Sequence, residues 1–366
     1  MSEQNRGTGR IRGTGRRRKP SRGRRLRTAA LVTAATAVLA GGAGLGYAYV
    51  ALDGNIEAVD IDAALGADRP DDADNGSEDV LVLGSDSRSG ANSAYGTDEG
   101  SARADTAMVV HIGEGHTSAQ VVSIPRDTLV DRPSCTSDTT GEEVAGRRLA
   151  MFNTAYEVGG PACAVKTVEA MSGIRMDHYV EVDFTGFEEI VDELGGVEIT
   201  TTRTIDDAGS RLHLEPGTHT LTGEQSLGLV RTRKSVGDGS DLGRIQLQQA
   251  FVRALMERTK SIGLFSGPKT LLSLAGTATK ALTTDSGLGS VKKLAGFAKG
   301  LSGLGAEDVE MITLPVEYDP ADPNRVLPQE KATARVWAAL AHDEPVPASA
   351  TARSAGDKGE AAEVVR

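Results

Sequence analysis

Cysteine is scarce in this chain. Cys135 and Cys163 are the only two in 366 residues, and they lack CxxC spacing, which excludes the common redox and zinc motifs built on that pair. Outside the cytoplasm such an isolated pair is expected as a disulfide; inside it, as two buried thiols. His111, His116, His178, His213 and His219 lack the close spacing of metal ligands. There is no GxxxxGK[ST] loop, no GxGxxG after an apolar run, and Gly84-Ser85-Asp86-Ser87 is not a GxSxG nucleophile elbow. Positive charge is missing from most of the chain. Residues 1–27 hold eleven Lys or Arg against Glu3, a net of +10, whereas the whole chain carries −11, so the remainder carries −21. An acidic body argues against nucleic acid as the main partner.

One segment lacks charge altogether. Thr28 to Val50 is 23 uncharged residues, about 34 Å as a helix, enough for a hydrocarbon core of roughly 30 Å. Arginines crowd its N-terminal flank, and Asp53, Glu57, Asp60 and Asp62 follow it. The positive-inside rule then predicts a basic cytoplasmic tail (1–27), a transmembrane helix (28–50) and everything beyond it outside the cell membrane. A cleaved signal peptide is the alternative, although no clear small-x-small cleavage site follows the segment. Residues 51–78, rich in Asp, Ala and Gly, read as a linker, and residues 344–366 as a disordered tail.

Between them, residues 79–343 alternate apolar runs with helical spacing. Val80–Leu83, Ala107–Ile112, Ala119–Ile124, His178–Phe184, Gly196–Thr200 and Val309–Leu314 are β-branched-rich runs closed by turn residues, and read as strands. Pro161–Ser172, Gly186–Leu194, Thr222–Leu229, Asp241–Thr259 and Ala332–His342 read as helices, with Asp241 as an N-cap. This predicts an α/β fold: a central mixed β-sheet flanked by helices on both faces, preceded by one transmembrane helix.

Several strands stop at charged residues. The first ends in Gly84-Ser85-Asp86-Ser87-Arg88, the second is preceded by Arg103-Ala104-Asp105, and the third ends in Pro125-Arg126-Asp127. A second group holds Arg231, Arg233, Asp241, Arg244 and Gln248, the last three on one face of a helix. Charges at the mouths of buried strands are costly unless paired or functional. Arginine forks match phosphate oxygens, and aspartates are hard ligands for Mg²⁺. A structural salt-bridge network is the bland alternative for any single pair; the clustering favours phosphoryl chemistry.

Taken in order, Val80–Arg88, Arg103–Thr106, Val121–Asp127, Phe152–Tyr156, Asp177–Phe184, Leu194–Val197 and Leu221–Gln249 resemble the LytR-CpsA-Psr (LCP) family of cell-wall polymer ligases. The resemblance implies a transferase that moves a glycopolymer from a polyprenyl-pyrophosphate carrier to peptidoglycan, forming a phosphodiester with Mg²⁺. Mapped residue by residue, it implies Asp86 and Asp105 on the Mg²⁺ side and a pyrophosphate clamp of Arg88, Arg103, Arg126, Arg231, Arg233 and Arg244. Gln248 becomes a supporting contact, and Asp241 either the base for the acceptor hydroxyl or the residue that orients Arg244. An apolar tunnel for the lipid is also implied, with the apolar faces of 186–194 and 241–259 as its candidates or as plain core. The polar segment 132–146, longer than the family pattern, reads as a surface loop tied by Cys135 to the helix of Cys163. A hydrolase with water as acceptor and a non-enzymatic membrane regulator are the competing functions.

Overall fold

Seven short segments rich in β-branched residues pair into one sheet. The computed structural model describes residues 49–67, 69–73, 75–85, 104–233, 235–236, 239–263, 268–357 and 364–365. The chain divides into two compact units, 1–51 and 52–366; of the first, only residues 49–51 are described, as helix. Among the described residues no helix is long and apolar enough to cross a membrane. The span expected at 28–50 falls almost wholly outside them.

In the second unit the sheet strands are β1 (Glu57–Val59), β2 (Glu78–Ser85), β3 (Ala104–Ile112), β4 (Ala119–Ser123), β5 (His178–Asp183), β6 (Leu282–Asp285) and β7 (Val309–Thr313). Their spatial order is β1-β6-β5-β2-β3-β4-β7. Parallel pairs (β1 with β6, β5 with β2, β4 with β7) alternate with antiparallel ones, so the sheet is mixed. The helices are α1 (Ile61–Leu65), α2 (Asn153–Ser172), α3 (Phe184–Glu193), α4 (Gly223–Arg231), α5 (Asp241–Ser261), α6 (Pro268–Ala281), α7 (Val291–Gly300), α8 (Glu330–Ala341) and α9 (Ala348–Thr351).

Strand periodicity decides which side each apolar residue serves. Leu81, Leu83, Val109, Val122 and Ile312 point to one face, where Val165 and Val168 of α2 and Val336 and Trp337 of α8 close the main core. Val82, Met108, Val110, Val121 and Met311 point to the other, beneath Met256 of α5. A further core joins Val191 of α3, Leu229 of α4, and Leu247 and Phe251 of α5. Phe187 and Phe251 meet there with ring centroids 5.3 Å apart, so the apolar faces of 186–194 and 241–259 pack as core.

Three boundaries differ from expectation. Residues 51–78 do not form a plain linker: β1 pairs with β6 at the sheet edge, and Ile61 and Leu65 of α1 are buried in the main core. Residues 344–366 are not wholly unstructured, since they contain α9, Val364 and Val365 are buried, and Val365 bridges Thr201. Helix α2 starts eight residues before Pro161 and bends where Gly159 and Gly160 leave helical geometry, Gly160 at φ 55°. A Cβ on Gly159 would sit 2.5 Å from the Thr136 carbonyl oxygen. This bend lets the 132–146 loop dock on α2, where Cys135 and Cys163 form a disulfide.

One buried polar cluster ties β2 and β3 to the C-terminal region. His111, which is 1% exposed, has Nδ1 3.0 Å from Asp79 and Nε2 3.1 Å from Asp343. Burial disfavours the imidazolium, but the two carboxylates outweigh it and raise the pKa. Burial raises Asp79 as well, which acts in the same direction. A raised folded-state histidine pKa contributes stability that is fully present below the unfolded value, about 6.5, and is lost as pH rises through the folded value. Denaturant unfolding at pH 6 is therefore expected to show a larger free energy than at pH 8, with the gap shrinking in His111→Gln. Equal pH dependence in the two proteins would contradict this.

Candidate active site

The adjacent ends of β3 and β4 bring the charged residues together. Because β3 runs antiparallel to β2 and β4, its first residues lie beside the last of both. Asp105 is the second residue of β3, and Arg126 follows β4 after Ile124 and Pro125. Asp241 and Arg244 come from the first turn of α5, and Gln248 from the next. Asp241 is not an N-cap as expected: Ser240 holds that position and makes no side-chain cap. The Asp241 carboxylate turns instead to the arginines.

Arg126 is the hub. Its guanidinium bonds Asp105 directly, and its Nε lies 3.6 Å from Asp127 and 3.7 Å from Asp241. Its backbone N–H donates to Asp241 at 3.3 Å, and its carbonyl accepts from the Asn153 N–H at the start of α2. Arg244 is 3% exposed; it pairs with Asp241 at 2.5 Å and donates to the Asp105 carbonyl at 2.6 Å. Gln248 donates to the Thr106 hydroxyl at 2.9 Å and the Val230 carbonyl at 3.1 Å. This packing ties α5 to β3 and to α4.

Arg233 differs from the other two arginines. Its backbone N–H donates to Asp207, but among the described residues its guanidinium has no salt bridge. Burial is the largest influence on it, and Arg244 and Arg126 add like-charge repulsion that Asp241 and Asp105 do not offset, so its pKa is lowered. The Nε atoms of Arg126 and Arg244 are also buried with no hydrogen-bond acceptor among the described residues. Buried donors of this kind call for an acceptor. Asp105 responds in the opposite sense: burial opposes its ionisation, but Arg244, Arg126 and Arg233 together hold its carboxyl below the usual range.

The structure thus gathers Asp105, Arg126, Arg233, Asp241, Arg244 and Gln248. Arg231 ends α4 with its guanidinium 4.7 Å from the centroid of the Phe184 ring. Asp86, Arg88 and Arg103 lie outside the described residues. Two participants were not singled out from the sequence as site residues: Asp127, and Arg325, whose guanidinium reaches Asp127 at 3.6 Å from the 316–328 hairpin. Asp127 carried a visible signal, a charge at a strand end. Arg325 carried none, being separated by about 200 residues of chain from its partner.

Two cavities lie near α5. One, of about 180 Å³, opens against Asp127, Arg233 and Asp241. A larger one, of about 690 Å³, lies among Glu198, Arg253, Glu257 and Glu310 and contains none of the expected site residues. The larger cavity is therefore not the one that the arginines border.

An acidic α/β domain with arginines and aspartates converging at adjacent strand ends defines an anion-handling site. The LytR_cpsA_psr family model matches residues 48–342, and the chain belongs to that family. It is 30% identical over 298 residues to the cell wall biosynthesis protein LcpA of Corynebacterium glutamicum, covering 75% of this chain and 57% of that protein. The chain thus spans little more than half the length of this relative. The polyisoprenyl-teichoic acid–peptidoglycan teichoic acid transferase TagT of Bacillus subtilis is 34% identical over 236 residues, covering 62% of this chain and 67% of that one. A solved structure of the LCP-family protein YwtF (TagT) with bound octaprenyl pyrophosphate lipid superposes with a TM-score of 0.52 at 26% identity, over 76% of this chain and 94% of that one.

Proposed function

We propose that the chain is a membrane-anchored phosphotransferase that moves a glycopolymer from a polyprenyl-pyrophosphate carrier to peptidoglycan in cell-wall biogenesis. The observation that carries the reading is the convergence of Arg126, Arg233 and Arg244, with one guanidinium unpaired and two buried Nε donors unmet among the described residues. A pyrophosphate supplies the missing acceptors and negative charge. The named activity of TagT and the lipid bound in its structure agree with that chemistry.

Mg²⁺ belongs to the proposal. Asp105 suits it, as a carboxylate kept ionised by its neighbours, and Asp86 would be its partner. Ser85, which precedes Asp86, pairs with Ala104, which precedes Asp105, so the chain enters that segment beside the right strand end. Among the described residues, no group of three or more His, Cys, Asp or Glu is arranged to hold a metal. A site of two carboxylates completed by substrate phosphates fits both facts. The ion would neutralise charge on the pyrophosphate. Residues 28–50 would anchor the protein, with its N-terminus cytoplasmic and the catalytic domain outside.

The test combines the full-length protein in detergent or vesicles with a lipid-pyrophosphate-linked glycan, peptidoglycan and Mg²⁺. Phosphodiester-linked polymer on peptidoglycan is expected, with the yield falling on chelation. Release of free phosphorylated polymer without any need for peptidoglycan would instead identify a hydrolase, and neither product would leave the regulator reading.

A further inference from the structure

The cavity of about 180 Å³ beside the arginine cluster shares Arg233 with it and adds a wall that the pyrophosphate does not need. One wall is the catalytic edge: Asp127, Arg233 and Asp241. Further lining comes from the 316–328 hairpin and the turn before α5: Tyr318, Asn324 and Ser240. Its volume is roughly a dozen times what one water requires, and its lining mixes hydroxyl and amide groups with an aromatic side chain and the apolar Pro125, Leu242, Pro323 and Val326. That is a surface for a small polyhydroxylated ring rather than for a second lipid.

Asp127 stands between the cluster and this cavity. Its side chain is 21% exposed, and each oxygen faces one guanidinium beyond hydrogen-bond range: Oδ1 at 3.6 Å from Arg325 and Oδ2 at 3.6 Å from Arg126. Among the described residues no group donates a hydrogen bond to its carboxylate. Asp241 is held more closely: Oδ1 is ion-paired with Arg244 at 2.5 Å, without a hydrogen bond, and Oδ2 accepts from the backbone N–H of Arg126 at 3.3 Å. Protonating Asp241 would break those contacts. Protonating Asp127 would cost two long ones.

We infer that this cavity is the acceptor subsite, seating a sugar of the peptidoglycan strand, and that Asp127 is the base that takes the proton of its hydroxyl. The inference rests on the transferase reading above. The acceptor oxygen attacks the phosphorus that bears the glycopolymer, and its proton passes to the Asp127 carboxylate. The P–O bond to the second phosphate breaks, and polyprenyl phosphate leaves with the bonding electrons. The products are the phosphodiester and polyprenyl phosphate. Burial is the largest influence on Asp127 and raises its pKa; Arg126, Arg325 and Arg233 pull it down and Asp241 pushes it up, with a net rise that suits a base.

Two variants of the full-length protein test this. Asp127→Asn is expected to lower the transfer rate by about 10²–10⁴-fold, the usual contribution of a positioned base. It should also remove the acidic limb of the pH–rate profile and leave binding of farnesyl pyrophosphate, followed by calorimetry, within twofold. Asn324→Trp, on an exposed turn, fills the cavity; it is expected to raise KM for peptidoglycan about tenfold or more with KM for the lipid-linked donor unchanged. Wild-type rate and pH profile in Asp127→Asn would overturn the role of the base. An unchanged acceptor KM in Asn324→Trp would overturn the subsite. Wild-type protein that neither binds farnesyl pyrophosphate nor transfers polymer would bring down the transferase reading and this inference with it.

Discussion

Arg126→Ala is expected to reduce kcat/KM for polymer transfer by about 10²–10³-fold or more, the scale of removing one preorganised charge-stabilising donor from a partly buried site. Arg126 alone touches Asp105, Asp127 and Asp241, so its loss acts twice: it removes a fork aimed at the site, and it leaves three carboxylates with one cation fewer to offset their repulsion of an incoming pyrophosphate. Asp105 would keep only Arg244 and Arg233 as cationic neighbours among those now lowering its pKa. Arg126→Lys should recover little, because a single ammonium cannot replace a planar fork that contacts several carboxylates at once. The measurement is steady-state transfer with thermal unfolding recorded in parallel. A variant that stays folded and keeps activity within threefold of wild type would show that Arg126 only braces the fold.

How this site could be foreseen follows from its chemistry. Asp105, Arg126, Asp241 and Arg244 stood out because charges at strand ends and at a helix start are rare without a purpose. The strands of the central sheet were legible for a related reason: β2, β3 and β4 hold apolar residues on both faces, β5 and β7 carry Val180, Val182, Val309 and Ile312, and turn residues close the runs. Elements whose stability comes from distant partners were not. β1 is three residues long, and its pairing with β6 bridges more than 220 residues of chain. The first turns of α2 lie ahead of a Gly-Gly-Pro break that locally reads as a helix start. Arg325 sits in an Asp-Pro-Asn turn whose sequence specifies only the turn. Its approach to Asp127 follows from Thr128 and Val326 bridging in parallel, a tertiary fact with no local signature.

Removing the disulfide, as Cys135→Ala with Cys163→Ala, is expected to lower the stability of the domain by roughly 3–4 kcal/mol, which corresponds to a fall of about 5–7 °C in Tm for a domain of this size. The bond closes a loop between residues separated by 28 positions, so chain entropy in the unfolded state supplies most of the effect. It also does local work. Cys135 and Cys163 are both buried, with Ala155 of α2, in a core too small to hold the loop by apolar contact alone. Lys166 donates to the Ser134 carbonyl at 3.0 Å, which adds one more tie at the loop base. The consequence for function runs through α2, whose first residue donates its N–H to the carbonyl of Arg126. Loosening the loop should therefore cost stability far more than activity: the bend at Gly159 and Gly160 separates the disulfide from the turn that supports Arg126. Differential scanning calorimetry of the double variant, paired with transfer rates at a temperature where it remains folded, separates the two effects. An unchanged Tm would mean that the loop gains nothing from its tether.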